Sequence, residues 1–130
     1  MNNQVSISFL EAFSQAWNDH DIDTLMSCMT QDCEFHATAG STVLGSSFSG
    51  ADDVKAAFQL AWTNFPDAQW LDAEHFIIGD KAVTESTFCG TKADGTRVEA
   101  RMVDVFTLRD GKILVKNAFR KDRPSLAASA

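Results

Sequence analysis

Three short turns rich in aspartate and glycine divide the second half of this chain into segments of alternating hydrophobicity. The turns are Gly79-Asp80, Asp94-Gly95 and Asp110-Gly111. Such residue pairs are favoured in tight β-hairpins because glycine and aspartate tolerate the backbone conformations that these turns require. The segments that the turns separate cover about 68–78, 82–91, 96–108 and 113–120. We therefore predict four consecutive antiparallel strands that form a meander.

The first half of the chain carries helical patterns instead. Hydrophobic residues recur at helical spacing from about Val5 to Asn18, and a second, short helix follows with Asp21 as its N-cap. A third helix begins after Ser49-Gly50-Ala51-Asp52, which resembles a capping box with aspartate in the last position. Pro66 ends that helix because proline cannot continue it.

Two shorter segments complete the prediction. Cys33–His36 is predicted as a short strand and Thr38–Gly50 as a loop, since three glycines interrupt it. Helices followed by a meander indicate an α+β domain with the helices on one face of the sheet. No linker or repeat divides the 130 residues, so we predict one domain over residues 1–130.

The charge of the chain excludes some classes of partner. A net charge of −7 argues against a general binder of nucleic acids or of anionic membranes. The basic residues are unevenly placed, however, because five of the eleven lie in one short segment near the C-terminus. These five are Lys112, Lys116, Arg120, Lys121 and Arg123. They form either a solvated strand and tail or an anion-friendly rim on a pocket.

Cysteine and histidine usage indicates neither a disulfide framework nor a metal site. Cys28, Cys33 and Cys89 are odd in number, and they show no metal-ligand spacing with the three histidines. Met1–Gln4 has no basic region typical of a signal peptide, and no apolar run approaches the roughly 20 residues of a membrane span. We expect a protein of the reducing cytoplasm that makes no contact with membranes or nucleic acids.

Asp104 is the candidate for acid–base chemistry. Alternate positions of its strand read Val98, Ala100, Met102, Asp104, Phe106 and Leu108. Successive side chains of a strand point to opposite faces, so Asp104 is the sole polar group on an apolar face. A buried carboxylate without a partner usually holds its proton, and the neutral acid can donate a hydrogen bond or act as a general acid.

The last hairpin determines what lies opposite Asp104. If Asp110-Gly111 is a two-residue turn, the opposite residue is Asn117; if the turn contains a glycine bulge, it is Lys116. A lysine partner favours the ionised carboxylate, whereas an asparagine partner leaves desolvation dominant. A buried ion pair in a filled core is thus the alternative to a catalytic Asp104. His36 ends the first strand beside the glycine-rich loop and is a second, weaker acid–base candidate.

Four motifs carry a resemblance to a known family. They are Ala16-Trp17-Asn18-Asp19-His20-Asp21-Ile22-Asp23, Thr30-Gln31-Asp32-Cys33-Glu34-Phe35, Phe48-Ser49-Gly50-Ala51-Asp52-Asp53-Val54 and Val103-Asp104-Val105-Phe106-Thr107-Leu108-Arg109-Asp110-Gly111-Lys112-Ile113. In this order they resemble the SnoaL-like and ketosteroid-isomerase-like branch of the nuclear-transport-factor-2-like superfamily. The resemblance implies a cone-shaped α+β fold, with helices packed on a curved antiparallel sheet that encloses a pocket. It also implies homodimers through the outer face of the sheet.

The resemblance assigns roles unevenly. Asp104 matches the strand aspartate that stays protonated in the steroid isomerases and helps to form their oxyanion hole. Phe13 falls where those enzymes have the tyrosine of that hole, and Ala37 falls where they have the general base. Met102 falls at the arginine of limonene-epoxide-hydrolase relatives. The resemblance therefore implies neither steroid isomerisation nor epoxide hydrolysis.

The resemblance also favours the bulged turn, which brings Lys116, Ala118 and Arg120 to the inner face. We predict a cofactor-free homodimer that binds a small apolar or aromatic organic molecule. As an enzyme it would be an isomerase, cyclase or lyase that uses Asp104, with His36 as second group; the alternative is a non-catalytic ligand-binding or protein-interaction domain. The predicted ligand contacts are Phe13, Trp17, Phe58, Trp62, Met102, Phe106, Lys116, Asn117, Phe119 and Arg120, although aromatic residues at helical spacing are usually plain core.

Overall fold

A computed structural model describes residues 5–127, which form three helices and six strands. The helices are α1 (Ile7–Asn18), α2 (Ile22–Ser27) and α3 (Ala51–Asn64). The strands are β1 (Met29–His36), β2 (Ser47–Ser49), β3 (Gln69–Ile78), β4 (Lys81–Thr91), β5 (Arg97–Arg109) and β6 (Lys112–Arg120). The predicted absence of a signal peptide concerned Met1–Gln4, which lies outside the described residues.

The strands form one curved, open sheet in the order β2-β1-β6-β5-β4-β3. Strands β3 to β6 make the predicted antiparallel meander. The predicted α+β fold is confirmed, but the sheet is mixed and not wholly antiparallel, because β1 pairs with β6 in parallel. Helix α3 and the meander carry the chain back so that β6 runs beside β1 in the same direction. Helices α1 and α3 cover the inner face of the sheet.

The edge strand β2 was not predicted. Its three residues lie within the segment 38–50 that the sequence analysis describes as a loop, and they pair with the end of β1. Its sequence is Ser-Phe-Ser, and three residues are too few for an alternation to be recognised as a strand. Strand β1 also begins four residues earlier than predicted, at Met29.

The predicted N-cap of α2 is confirmed, whereas the predicted capping box of α3 is not. Asp21 caps α2 by accepting a hydrogen bond from the backbone N–H of Thr24, as predicted. The capping box predicted for α3 does not form. The N-cap of α3 is Gly50, whose φ of 87° needs glycine, and no side chain caps the helix there. Helix α3 therefore begins at a glycine that can adopt this backbone conformation, and the Ser49 hydroxyl does not cap the helix.

The turn of the last hairpin is the two-residue turn of the first predicted alternative, but the register beyond the turn matches neither alternative. Asp110 and Gly111 have φ angles of 55° and 75°, which are those of a two-residue type I′ turn. An irregularity follows within β6: Leu108 pairs with Ile113 but Thr107 pairs with Val115. The residue left over, Leu114, is therefore a β-bulge that lies beyond the turn.

The bulge shifts the register for the rest of the hairpin. Asp104 lies opposite Ala118, so the predictions of Asn117 and Lys116 as the directly opposite residue are both wrong. Lys116 lies opposite Phe106 and is buried. Because the bulge adds one residue to β6, Lys116 and Ala118 point to the inner face, as the resemblance implied. The extra residue lies in the strand and not in the turn.

The core fills the space between the inner face of the sheet and the helices. Its largest fully buried side chains come from the three helices and from strands β1, β5 and β6. They include Leu10, Phe13, Leu25, Phe58, Phe106 and Leu108. Among residues 5–127, no helix is long and apolar enough to cross a membrane.

Candidate functional site

Asp104 forms a buried ion pair with Lys116. The predicted alternation of β5 is confirmed, since the even-numbered residues from Ala100 to Leu108 are all buried. The Lys116 ammonium donates a hydrogen bond to Asp104 Oδ1 over 2.9 Å, and the two side chains are 6% and 10% exposed. Lys116 reaches Asp104 diagonally, because it lies opposite Phe106, two residue pairs nearer the turn. Asp104 is therefore partnered and not an isolated acid.

Three aromatic rings surround the other side of the Lys116 ammonium. Its Nζ lies 5.1 Å from the ring centroid of Trp17, 5.0 Å from that of Phe35 and 5.8 Å from that of Phe58. Cations are attracted to the faces of aromatic rings at such distances. The ammonium thus occupies an aromatic cage and has Asp104 as its counter-ion. This part of the inner face is filled by the protein's own side chains.

A second polar pair lies beside Asp104 on the inner face. Thr84 of β4 lies opposite Asp104, and His75 of β3 lies opposite Thr84. His75 Nδ1 and Thr84 Oγ1 are 2.8 Å apart and hydrogen-bonded. Burial lowers the pKa of His75 below its ordinary value of 6.5, and the Glu11 carboxylate acts in the opposite direction. His75 is not among the predicted site residues, because the two faces of β3 cannot be distinguished from the sequence pattern.

His36 does not join Asp104. It follows Phe35, which points to the inner face, and it pairs with Asn117 on the outer face. Its Nδ1 is hydrogen-bonded to Ser47 Oγ at 2.8 Å, and its Nε2 lies 3.7 Å from Glu34 Oε2. The two predicted acid–base residues therefore lie on opposite faces of the sheet.

The predicted ligand contacts fall into several groups. Those that are buried in the core are Phe13, Trp17, Phe58, Met102 and Phe106, and Lys116 lies among them. Trp62 is partly buried and stacks on His20 with ring centroids 5.0 Å apart. Asn117 and Phe119 pair with Val105 and Val103 on the outer face, where Phe119 is half exposed. Of the predicted set, Arg120 alone lines the largest of the described cavities.

This cavity, which we call the mouth pocket, has a volume of about 500 Å³ and opens to solvent. Its apolar wall consists of Phe65 at the end of α3 together with Val98 and Ala100 on β5. Asp104 lies four residues further along β5 than Ala100, behind Met102, which pairs with Arg120. The mouth pocket is therefore separated from the buried ion pair by a layer of side chains.

The C-terminal segment 121–126 forms one side of the mouth pocket. The Lys121 N–H donates to the carbonyl of Arg101, and Leu126 exchanges two backbone hydrogen bonds with Arg97. Lys121, Arg123 and Ser125 line the pocket from this segment. The cluster of basic residues is visible in the sequence, but no sequence pattern indicates that this segment folds back along β5.

The described part of the chain contains no group of three or more His, Cys, Asp or Glu side chains arranged to hold a metal ion. Its cysteines, Cys28, Cys33 and Cys89, are free thiols. Burial raises the pKa of each thiol, which disfavours the reactive thiolate.

Sequence comparison identifies the family. Residues 10–115 match the family model described as the SnoaL-like domain. The chain belongs to the SnoaL-like domain family. No curated protein matches this SnoaL-like chain in sequence.

Solved structures agree with this family and confirm the fold. A candidate polyketide cyclase from Xanthomonas campestris pv. campestris is 17% identical, with a TM-score of 0.79 and 93% of each chain covered. TerC, co-crystallised with polyporic acid, is 26% identical with a TM-score of 0.75, over 88% of this chain and 90% of TerC. A protein with a ketosteroid isomerase-like fold from Catenulispora acidiphila, in complex with trimethylamine, is 14% identical with a TM-score of 0.76, over 88% and 86%.

Proposed function

We propose that this SnoaL-like protein binds a small organic molecule in the mouth pocket. The observation that carries the proposal is the pocket itself, because its volume of about 500 Å³ lies within the range of roughly 300–1,000 Å³ typical of small-molecule sites. The structural relative TerC was co-crystallised with polyporic acid, which supports a ligand of this kind. The apolar wall suits an aromatic or largely apolar body.

The apolar wall is held in place by tight packing. Phe65 lies over Gly90, where an added Cβ would come within 2.6 Å of the Phe65 ring. The Phe65 ring also meets Phe88 edge-on, with the centroids 5.1 Å apart. A ring that is packed on two sides has few alternative rotamers. Phe65 is therefore a preformed surface for an aromatic ligand, and ligand binding costs little ordering of the pocket.

Proton-transfer catalysis by Asp104 is the second candidate. It is supported by the buried acid–base pair of Asp104 and Lys116 on the inner face, and by relatives described as candidate polyketide cyclases. It requires that a substrate pass Met102 and separate the two charges. His36 contributes nothing to this chemistry because it lies on the outer face. We place binding first because it needs no such rearrangement.

The binding proposal is tested by filling the pocket. Val98→Trp places an indole in the mouth pocket, and Leu60→Trp places the same group at an exposed position of α3 as the matched control. The probes are 2-naphthoate and its neutral analogue 2-naphthamide, titrated by calorimetry. We expect at least one probe to bind the wild type and the Leu60→Trp variant equally, and Val98→Trp to weaken binding by tenfold or more, on the order of 1.4 kcal/mol. Equal binding to Val98→Trp, or no binding by the wild type up to the solubility of both probes, contradicts the proposal.

The catalytic candidate has its own test. The protein is incubated with 2-tetralone in D₂O, and deuterium exchange at the carbon next to the carbonyl is followed by NMR. Exchange that is accelerated by the wild type and falls by about 10²–10⁴-fold in Asp104→Asn would support Asp104 as the acid or base. Exchange at the same rate in wild type and variant, or at the uncatalysed rate in both, would contradict acid–base catalysis on this ketone.

A further inference from the structure

We infer that the mouth pocket selects an organic anion, and that Arg120 binds its carboxylate group. This inference rests on the proposed function, and it adds the chemical class of the ligand and the residue that determines the specificity.

The first support is a local reversal of charge. The chain as a whole has 18 acidic and 11 basic residues. The mouth pocket is lined by four basic residues and one acidic residue, Asp122. The basic residues are Lys92, Arg120, Lys121 and Arg123. They come from the turn after β4, the end of β6 and the C-terminal segment, so the fold collects them from separate places around one opening. A cavity lined by one sign of charge concentrates ligands of the opposite sign.

The second support is that none of these four cations forms an ion pair with a carboxylate of the described residues. The other arginines are all neutralised by ion pairs, namely Arg97 with Glu99, Arg101 with Glu85 and Arg109 with Asp32. Within residues 5–127, no carboxylate lies at ion-pair distance from the four cationic groups of the mouth pocket. Lys92 and Arg123 donate their side-chain hydrogen bonds to neutral oxygens. Lys92 donates to Ser125 Oγ over 3.5 Å, and Arg123 donates to the Glu99 carbonyl over 3.0 Å.

The third support is the placement of Arg120. It lies opposite Met102 at the end of β6, and its guanidinium carbon is 5.3 Å from the centroid of the Phe88 ring. The attraction between the cation and the face of the Phe88 ring holds the guanidinium at the pocket. Desolvation lowers the pKa of Arg120 and the Asp122 carboxylate raises it, but an arginine in a protein stays protonated. A planar donor fork of this kind binds a carboxylate with two parallel hydrogen bonds.

The nearby apolar wall defines the rest of the ligand. Phe65, Val98 and Ala100 line the same cavity as Arg120. An anion with an apolar or aromatic body therefore satisfies both parts of the pocket, whereas an inorganic anion uses only the cationic part. This arrangement distinguishes the pocket from a basic patch on an open surface.

The test compares two ligands of nearly the same shape. We expect the wild type to bind 2-naphthoate about tenfold more tightly than 2-naphthamide, because a hydrogen bond to a charged partner is stronger than one to a neutral partner. The preference should decrease as salt is added, since salt screens charges near the surface. Arg120→Gln should abolish the preference while 2-naphthamide binds as before, and Arg120→Lys should keep part of it.

Two further variants complete the experiment. Arg109→Gln removes the same charge at the far end of β5 and should leave the preference intact. Arg120→Met keeps the aliphatic contact with Phe88 and gives a second neutral variant if Arg120→Gln is unstable. Persistence of the carboxylate preference in the neutral variants, or its absence in the wild type, overturns the inference. If both probes bind equally and Val98→Trp blocks both, the anion inference fails but the proposed function stands; if neither binds, the proposed function fails.

Discussion

Lys116 Nζ lies 2.9 Å from Asp104 Oδ1, although the two residues are not directly opposite each other. Asp104 faces Ala118, whereas Lys116 faces Phe106, two residue pairs nearer the turn. The diagonal contact exists because the bulge at Leu114 turns Lys116 to the inner face. Without that extra residue the alternation of β6 would place Lys116 on the outer face. The pair therefore depends on one local irregularity of the strand.

Breaking this pair should strongly destabilise the protein. Asp104→Asn leaves the Lys116 charge buried among aromatic rings, and removing one partner of a buried ion pair typically costs about 3–5 kcal/mol. We expect a clear loss of unfolding free energy in urea and a lower melting temperature. A melting temperature of Asp104→Asn close to that of the wild type would instead indicate that Asp104 has a purely catalytic role.

A double variant separates the charge from the shape. Asp104→Leu combined with Lys116→Met replaces the pair with apolar groups of similar size, and such replacements are often neutral or stabilising. We expect the double variant to recover most of the stability that each single variant loses. A double variant as unstable as the sum of the two single variants would show that the pair is not the source of the loss.

The N-terminus of α3 should depend on Gly50 and not on Ser49. Gly50→Ala introduces a Cβ at a φ of 87°, and a left-handed backbone costs a non-glycine residue roughly 1–2 kcal/mol. Ser49→Ala should change stability by less than about 0.5 kcal/mol, because no side chain caps this helix. Asp21→Ala, at a true side-chain cap, should cost about 0.5–2 kcal/mol. Chemical denaturation measures the loss of unfolding free energy for all three variants. A loss for Ser49→Ala as large as that for Asp21→Ala would show that Ser49 does cap the helix.

His75 should make the protein less stable in mild acid. Burial lowers the pKa of His75 in the folded protein, so the unfolded chain binds a proton more readily than the folded one. The contribution of neutral His75 to the free energy of unfolding is therefore fully present above about pH 6.5, and it is lost as the pH falls below that value. His75→Asn retains a hydrogen-bonding group beside Thr84 but cannot titrate. Its melting temperature should decrease less than that of the wild type between about pH 7.5 and about pH 5.5; an equal decrease in both proteins would show that His75 is not responsible.

The outer face of the sheet should form a homodimer. Large hydrophobic residues lie exposed on it or at its edge, namely Leu71, Phe76, Ile78 and Phe119, next to the partly buried Val103 and Val105. An apolar surface of this kind is typical of a protein–protein contact. We expect light scattering to give twice the 14.2 kDa mass of one chain, and Val105→Asp to give monomers. The mass of a single chain for the wild type at micromolar concentration would contradict this prediction.

Local patterns in the sequence account for most of the secondary structure. The hairpin turns, the boundaries of the four meander strands and the inward orientation of Asp104 all follow from residues that are neighbours along the chain. Alternation with a period of two needs no knowledge of distant segments. The resemblance to SnoaL-like proteins then supplied the overall architecture, which the family match confirms.

The composition of the candidate site depends on contacts between distant segments. A bulge at Leu114 shifts the pairing of the hairpin, and the pairing of β6 with β1 is interrupted at the same place. The face that His36 occupies depends on its parallel pairing with β6, which no local pattern reveals. The segment 121–126 becomes a pocket wall because its backbone forms hydrogen bonds to residues twenty or more positions earlier. Side-chain periodicity thus determines which residues share a face of a strand, whereas register and chain reversal determine which of those faces meet at a site.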